Sequence, residues 1–154
     1  MLVRVDFALP GHRYSRGFQA MAFAVEDMHE PLRRIADDLR DWIGEQFYTE
    51  GAARSSGWAP LSPRYAEWKE SHYPGMPILV RTGQMRGELL DPAVFHVDRH
   101  RMVYAPISDI AGYHQFGTYK MPARPPVVVT EKDKRTIDRE FLTWLRYVEK
   151  RSGV

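Results

Sequence analysis

The sequence predicts an α+β fold. Residues Leu2 to Leu9 alternate, with Val3, Val5 and Phe7 on one side and Arg4 and Asp6 on the other, which is the period-two pattern of a half-buried strand. Leu32, Ile35, Leu39, Trp42, Ile43 and Phe47 recur at helical spacing, with Arg33, Arg34, Asp37, Asp38, Arg40 and Asp41 on the opposite side. Two short apolar runs, Val94 to Val97 and Met102 to Ala105, flank the turn-like Asp98-Arg99-His100-Arg101 and read as a β-hairpin.

The remaining elements follow in order. Pro10-Gly11 ends the first strand, and Phe18, Met21, Ala22, Val25 and Met28 then mark one helical face. Pro31 suits the first turn of a new helix beginning near His29 or Glu30, which should stop near Gly51. Ser62-Pro63 is a helix start, with serine as N-cap and proline at the first position, and Tyr65 to His72 continue it. Thr82 caps a further helix through Leu90, closed by Asp91-Pro92. Ser108-Asp109 begins a short helix reaching Phe116, and Val127-Val128-Val129 reads as a last strand. From Thr130, with Asp133 as a partial capping box, a final helix should bury Ile137, Phe141, Trp144, Leu145 and Val148. The whole, 1–154, is expected to form one domain, with 1–17 as an N-terminal strand or arm.

Composition narrows the function classes. A chain of 154 residues without cysteine excludes disulfides, thiolate catalysis and cysteine-ligated zinc, and fits synthesis in a reducing cytoplasm. Its apolar windows are short and broken by charge, so no membrane span is expected, and the N-terminus lacks the pattern of a secretory signal. A net charge of +2 is too small to argue for nucleic acid as a principal ligand. Eleven prolines and eight tyrosines point instead to structured loops and contact surfaces.

A search for chemistry finds little. The six histidines form no HExxH or HxH pattern, and there is no GxSxG elbow, P-loop or GxGxxG. No metal or cofactor is therefore expected. Asp109 and His114 could form an acid/base pair along one helix, but a satisfied, partly buried histidine is the stronger reading. Arg81, Arg86, Arg99, Arg101 and Arg124 could face DNA or an acidic partner, or could pair locally with Glu88, Asp91, Asp98 or Asp109. Trp58, Tyr65 and Trp68 read as core or interface anchors rather than base-stacking platforms.

The segment around which the chain is organised is Tyr113-His114-Gln115-Phe116-Gly117-Thr118, followed by Met121-Pro122-Ala123-Arg124-Pro125-Pro126. Proline fixes its own φ and extends the residue before it, so the second half should be a stiff strut that displays Arg124. Upstream lie Gly57-Trp58-Ala59-Pro60-Leu61-Ser62, then Tyr65 and Lys69, then Leu79-Val80-Arg81-Thr82-Gly83-Gln84-Met85-Arg86. In this order the motifs resemble the phage virion morphogenesis family over roughly residues 30 to 150. The sequence departs from the common pattern at Pro126-Val127, where relatives often place a bulky aromatic.

That resemblance implies a small, curved antiparallel sheet packed on a long helix, with a C-terminal helix and long structured loops. It implies a non-enzymatic virion protein, assembled in the host cytoplasm into a ring, sixfold by analogy, at the neck. Head connector or head-closure proteins and the tail terminator or tail tube protein would be its neighbours, and DNA passing through would make non-specific contact at most. Trp58, Arg81, Arg86, His114, Phe116 and Arg124 are the interface candidates, and charge reversal at Arg124 is expected to abolish joining while leaving the subunit folded. The alternatives are a tail terminator ring, or a small DNA-binding or DNA-acting protein built around the arginines and His114.

Overall fold

The computed structural model describes residues 3–6 and 25–152. Three short strands and five α-helices make the fold α+β and helix-dominated among these residues. Strand β1 (Val3–Asp6) pairs antiparallel with β3 (Arg101–Tyr104), matching Val3 to Tyr104, and β2 (Phe95–Val97) pairs with the other edge of β3, giving the order β1-β3-β2. The helices are α1 (His29–Tyr48), α2 (Pro63–His72), α3 (Gln84–Leu90), α4 (Asp109–Phe116) and α5 (Glu131–Ser152). The described residues group into two compact units, one of residues 39–94 and 106–129, the other of 3–6, 25–38, 95–105 and 130–152.

The sheet belongs to the second unit. Alternation along β3 buries Met102 and Tyr104 and exposes Arg101, as period two requires, and Phe95 packs its ring 4.7 Å from that of Tyr104. Burial pushes the Tyr104 phenol above its ordinary pKa. The hairpin turn is closed by Asp98, whose backbone N–H donates to Arg101 and whose carboxylate accepts from the His100 N–H. That backbone hydrogen bond, aided by Arg101 at 3.3 Å, holds the Asp98 carboxyl below the usual range. Val25, Met28, Leu32, Ile35 and Ala36 are buried in the same unit. The helical face expected at Phe18, Met21 and Ala22 lies outside the described residues.

Proline at the third position of α1 is accommodated in the first turn, as expected, because the first four N–H groups of a helix have no intrahelical partner. Helix α5 begins with a full capping box: the Thr130 N–H and hydroxyl donate to the Asp133 carboxylate, and the Asp133 N–H donates back to the Thr130 hydroxyl. Its apolar stripe is shallower than the periodicity suggests. Val148 is buried, whereas Ile137, Phe141, Trp144 and Leu145 are only half-buried, since periodicity marks a face but not how deeply neighbours cover it.

Two further expectations are corrected. Val127-Val128-Val129 is not a strand, because both backbone groups of Val127 are taken by one side chain: its N–H donates to Gln115 Oε1 and its carbonyl accepts from Gln115 Nε2. The residue capping α3 is Gly83, in left-handed geometry at φ 85°, while the Thr82 hydroxyl accepts from the Gln84 N–H without occupying the cap position.

Candidate functional site

The motif residues meet in the first unit. Helix α4 starts with Ser108 accepting from the Ala111 N–H and ends at Gly117, φ 73°, where an added Cβ would lie 2.8 Å from the Ala123 nitrogen. This close approach turns the chain back through a tight bridge between Thr118 and Met121, and the segment after it is held by six partner residues. The Arg124 N–H donates to the His114 carbonyl at 2.7 Å. Its guanidinium donates through Nε to the Ala59 carbonyl and through Nη2 to the Pro60 carbonyl, at 2.7 and 2.8 Å. The next carbonyl, of Pro125, accepts from both Trp58 Nε1 and Gln46 Nε2. Gln115 then clasps Val127 as described.

The strut therefore does not display Arg124. The residue is only 5% exposed and acts as an internal staple, its planar fork matched to two successive carbonyls rather than to a carboxylate. Extended geometry around the prolines is what lets the side chain reach back to residues 59 and 60. Charge reversal here would set a carboxylate against two carbonyl oxygens, so it destabilises the subunit itself, contrary to the expectation of a folded but unjoinable variant.

Trp58 is a core anchor. It is buried, packs edge-on to Phe47 with ring centroids 5.4 Å apart, and donates its indole N–H to the Pro125 carbonyl. Gly51, φ 87°, lies so close that an added Cβ would meet Trp58 Cδ1 at 2.6 Å. His114 is half-buried, with Nδ1 enclosed and unbonded among the described residues. Burial, with a smaller push from the Arg124 guanidinium, lowers its pKa below the ordinary value. Asp109 lies exposed at the start of α4 and accepts no hydrogen bond from that enclosed nitrogen. Arg81 is exposed with its guanidinium 5.9 Å from the Tyr73 ring centre, and Arg86 is exposed on α3. Of the proposed local ion pairs, Arg101 with Asp98 forms, while Arg99 faces Asp27 at 3.9 Å.

Phe116, unlike Trp58, turns its ring to solvent and is 73% exposed. It belongs to a row, Ile107, Ile110, Tyr113, Phe116 and Tyr119, in which every third residue is a large apolar side chain facing solvent. Only Ala111 of α4 is buried, so the helix is held by its capping bonds and by Gln115 and His114 rather than by an apolar underside. Tyr65 and Trp68 are also partly exposed rather than core, and stack with His72 along α2.

The four motifs also line an open cavity of about 590 Å³, to which Leu61, Val80, Met85, His114, Met121 and Arg124 each contribute. Lys69 lies in its wall, buried, with its ammonium donating to the Pro77 carbonyl. Desolvation lowers the Lys69 pKa even though Glu50 and Glu70 act in the opposite direction. Sequence reading missed Gln46, which is fully buried on α1. The signal was present as a lone amide between Ile43 and Phe47 on the apolar stripe.

These features define a small α+β protein whose loops are locked around one buried arginine. The sequence profile of the phage virion morphogenesis family matches residues 12–146, and the chain belongs to that family. It is thereby a phage virion structural and assembly protein. No curated protein matches the chain. No solved structure matches it either.

Proposed function

We propose that the chain forms a homo-oligomeric ring, of six copies by family analogy, that completes the tail and joins it to the head at the neck of the virion. The observation carrying this reading is the exposed apolar row from Ile107 to Tyr119, with Ile107, Phe116 and Tyr119 at 88%, 73% and 93% exposure. Its three aromatics alone present roughly 450 Å² at about 200 Å² for each fully exposed ring, within the size of patch that marks an interaction site. A standard interface takes about 800 Å² from each partner, so the row supplies about half of one. Joining of this kind needs burial and no reaction. The ring's neighbours would be head connector or head-closure proteins on one side and the tail terminator or tail tube protein on the other, with DNA passing through.

The test is electron microscopy of lysates from a phage encoding the doubly substituted Ile107→Asp, Phe116→Asp protein, beside one with a stop codon at Trp58. Filled heads and finished tails should accumulate separately in both. Intact, joined particles from the stop-codon phage would refute the joining role. Joined particles from the double variant alone would refute the row as its carrier.

A further inference from the structure

The cavity lined by the four motifs shares Ile110 with the apolar row and is otherwise formed by different residues. At about 590 Å³ it falls within the roughly 300–1,000 Å³ typical of sites that take a compact ligand. Its lining is mixed, with Leu61, Val80, Met85 and Met121 as apolar members beside several charged and polar side chains. One wall is the irregular stretch from Leu79 to Thr82. Leu79 is held at φ 61°, in the left-handed region that a bulky residue avoids, so the backbone here is fixed in a conformation costing on the order of 1–3 kcal/mol. Among the described residues, the peptide groups of Leu79, Arg81 and Thr82 take no hydrogen-bond partner. In this turn the Val80 N–H is taken by the Pro77 carbonyl, so the open main-chain groups are those of Leu79, Arg81 and Thr82.

Charge selects among such chains. Arg81 and Lys120 stand exposed in the lining, whereas its one carboxylate, Glu88, already accepts a hydrogen bond from Gln84 Nε2. Lys69 and Arg124 add two further cations whose hydrogen bonds go to backbone carbonyls, Lys69 being partly offset by Glu50 and Glu70.

We infer that this cavity is a docking site for an extended peptide segment of another virion protein, one that carries apolar side chains flanked by aspartate or glutamate. The segment's apolar side chains meet Leu61, Val80, Met85 and Met121, and its carboxylates meet Arg81 and Lys120. This inference rests on the assembly role proposed above and names the chemistry of one partner. Ring formation through the apolar row is a separate event.

The test uses the purified full chain and two synthetic pools of N-acetylated, C-amidated octapeptides. Both contain Leu, Val and Phe; one adds Asp and Glu, the other Lys and Arg. The acidic pool should be retained at least about tenfold more strongly than the basic pool. That preference should fall about tenfold in Arg81→Glu, Lys120→Glu, and should survive in Arg146→Glu, Lys150→Glu, which makes the same charge change on exposed positions of α5. Equal retention of both pools overturns the inference, as does an equal loss in the two double variants. Neither outcome bears on the joining role, which the microscopy of the stop-codon phage decides independently.

Discussion

Replacing Arg124 by alanine removes the donor of two charge-assisted hydrogen bonds and strands the Ala59 and Pro60 carbonyls. A buried acceptor left without its donor costs about 1–3 kcal/mol. Pro60 lies at the surface and Ala59 is half-buried, so water can partly replace the guanidinium. The expected loss is therefore about 2–4 kcal/mol, a large fraction of the roughly 5–15 kcal/mol that holds a typical domain folded. Arg124→Lys keeps the charge but loses the planar fork, reaches one carbonyl at a time, and should cost about half as much. Arg81→Ala, on an exposed cation, should stay within about 0.5 kcal/mol of the parent. Urea unfolding followed by tryptophan fluorescence reads all three, since Trp58 hydrogen-bonds the residue next to Arg124. If Arg124→Ala shifts the unfolding free energy no more than Arg81→Ala does, the staple is not what holds these loops.

Gln115→Leu removes both clasps on Val127 at similar volume; at about 0.5–1.5 kcal/mol per hydrogen bond it should cost about 1–3 kcal/mol and speed amide exchange at Val127, and unchanged exchange there would contradict the assignment. Gly51→Ala combines a positive φ with a 2.6 Å collision against Trp58, so a loss of at least about 2 kcal/mol is expected in the same urea assay, and a neutral result would show that Trp58 can yield. His114 has its folded-state pKa lowered below the unfolded value, so the unfolded chain binds the proton more readily. Its contribution is fully present above the unfolded pKa of about 6.5 and is lost as pH falls through the lowered folded value. Unfolding free energy should thus decline more steeply below about pH 6.5 in the parent than in His114→Asn, and parallel pH profiles would remove His114 as the cause.

Local chemistry made most of the fold legible. Pro31 in the first turn of α1, Ser108 as the cap of α4 and the Thr130/Asp133 box are short-range devices whose partners lie within four residues, so sequence spacing alone identifies them. The hairpin from Phe95 to Tyr104 is legible for the same reason. The failures involve distant partners. Val127-Val128-Val129 has the composition of a strand, but Gln115, twelve residues away, takes its hydrogen bonds. Arg124 resembled a displayed contact because extended, proline-bounded backbone exposes side chains by default. Two carbonyls more than sixty residues upstream, at Ala59 and Pro60, reverse that. The exposed row was half legible: Phe116 stood out by its type, whereas Ile107, Ile110 and Tyr119 became members only once α4 was seen to bury little beneath it.

The same contrast explains why the hub and the row are neighbours. An eight-residue helix is far too short to persist in water by its own propensity, and α4 buries only one apolar residue, so its order must be imported. Its C-terminal end is fastened at three residues: His114 by the Arg124 backbone, Gln115 by Val127 and the cap Gly117 by the close approach of Ala123. Those fasteners are polar or backbone groups, which leaves Ile110, Tyr113 and Phe116 free to face outward. A contact surface ordered before it meets its partner loses less entropy on binding than one that must be ordered by it. Locking α4 through hydrogen bonds rather than through its aromatics thus supplies both a fixed mount and an unspent apolar face, the combination a joint between rigid bodies requires.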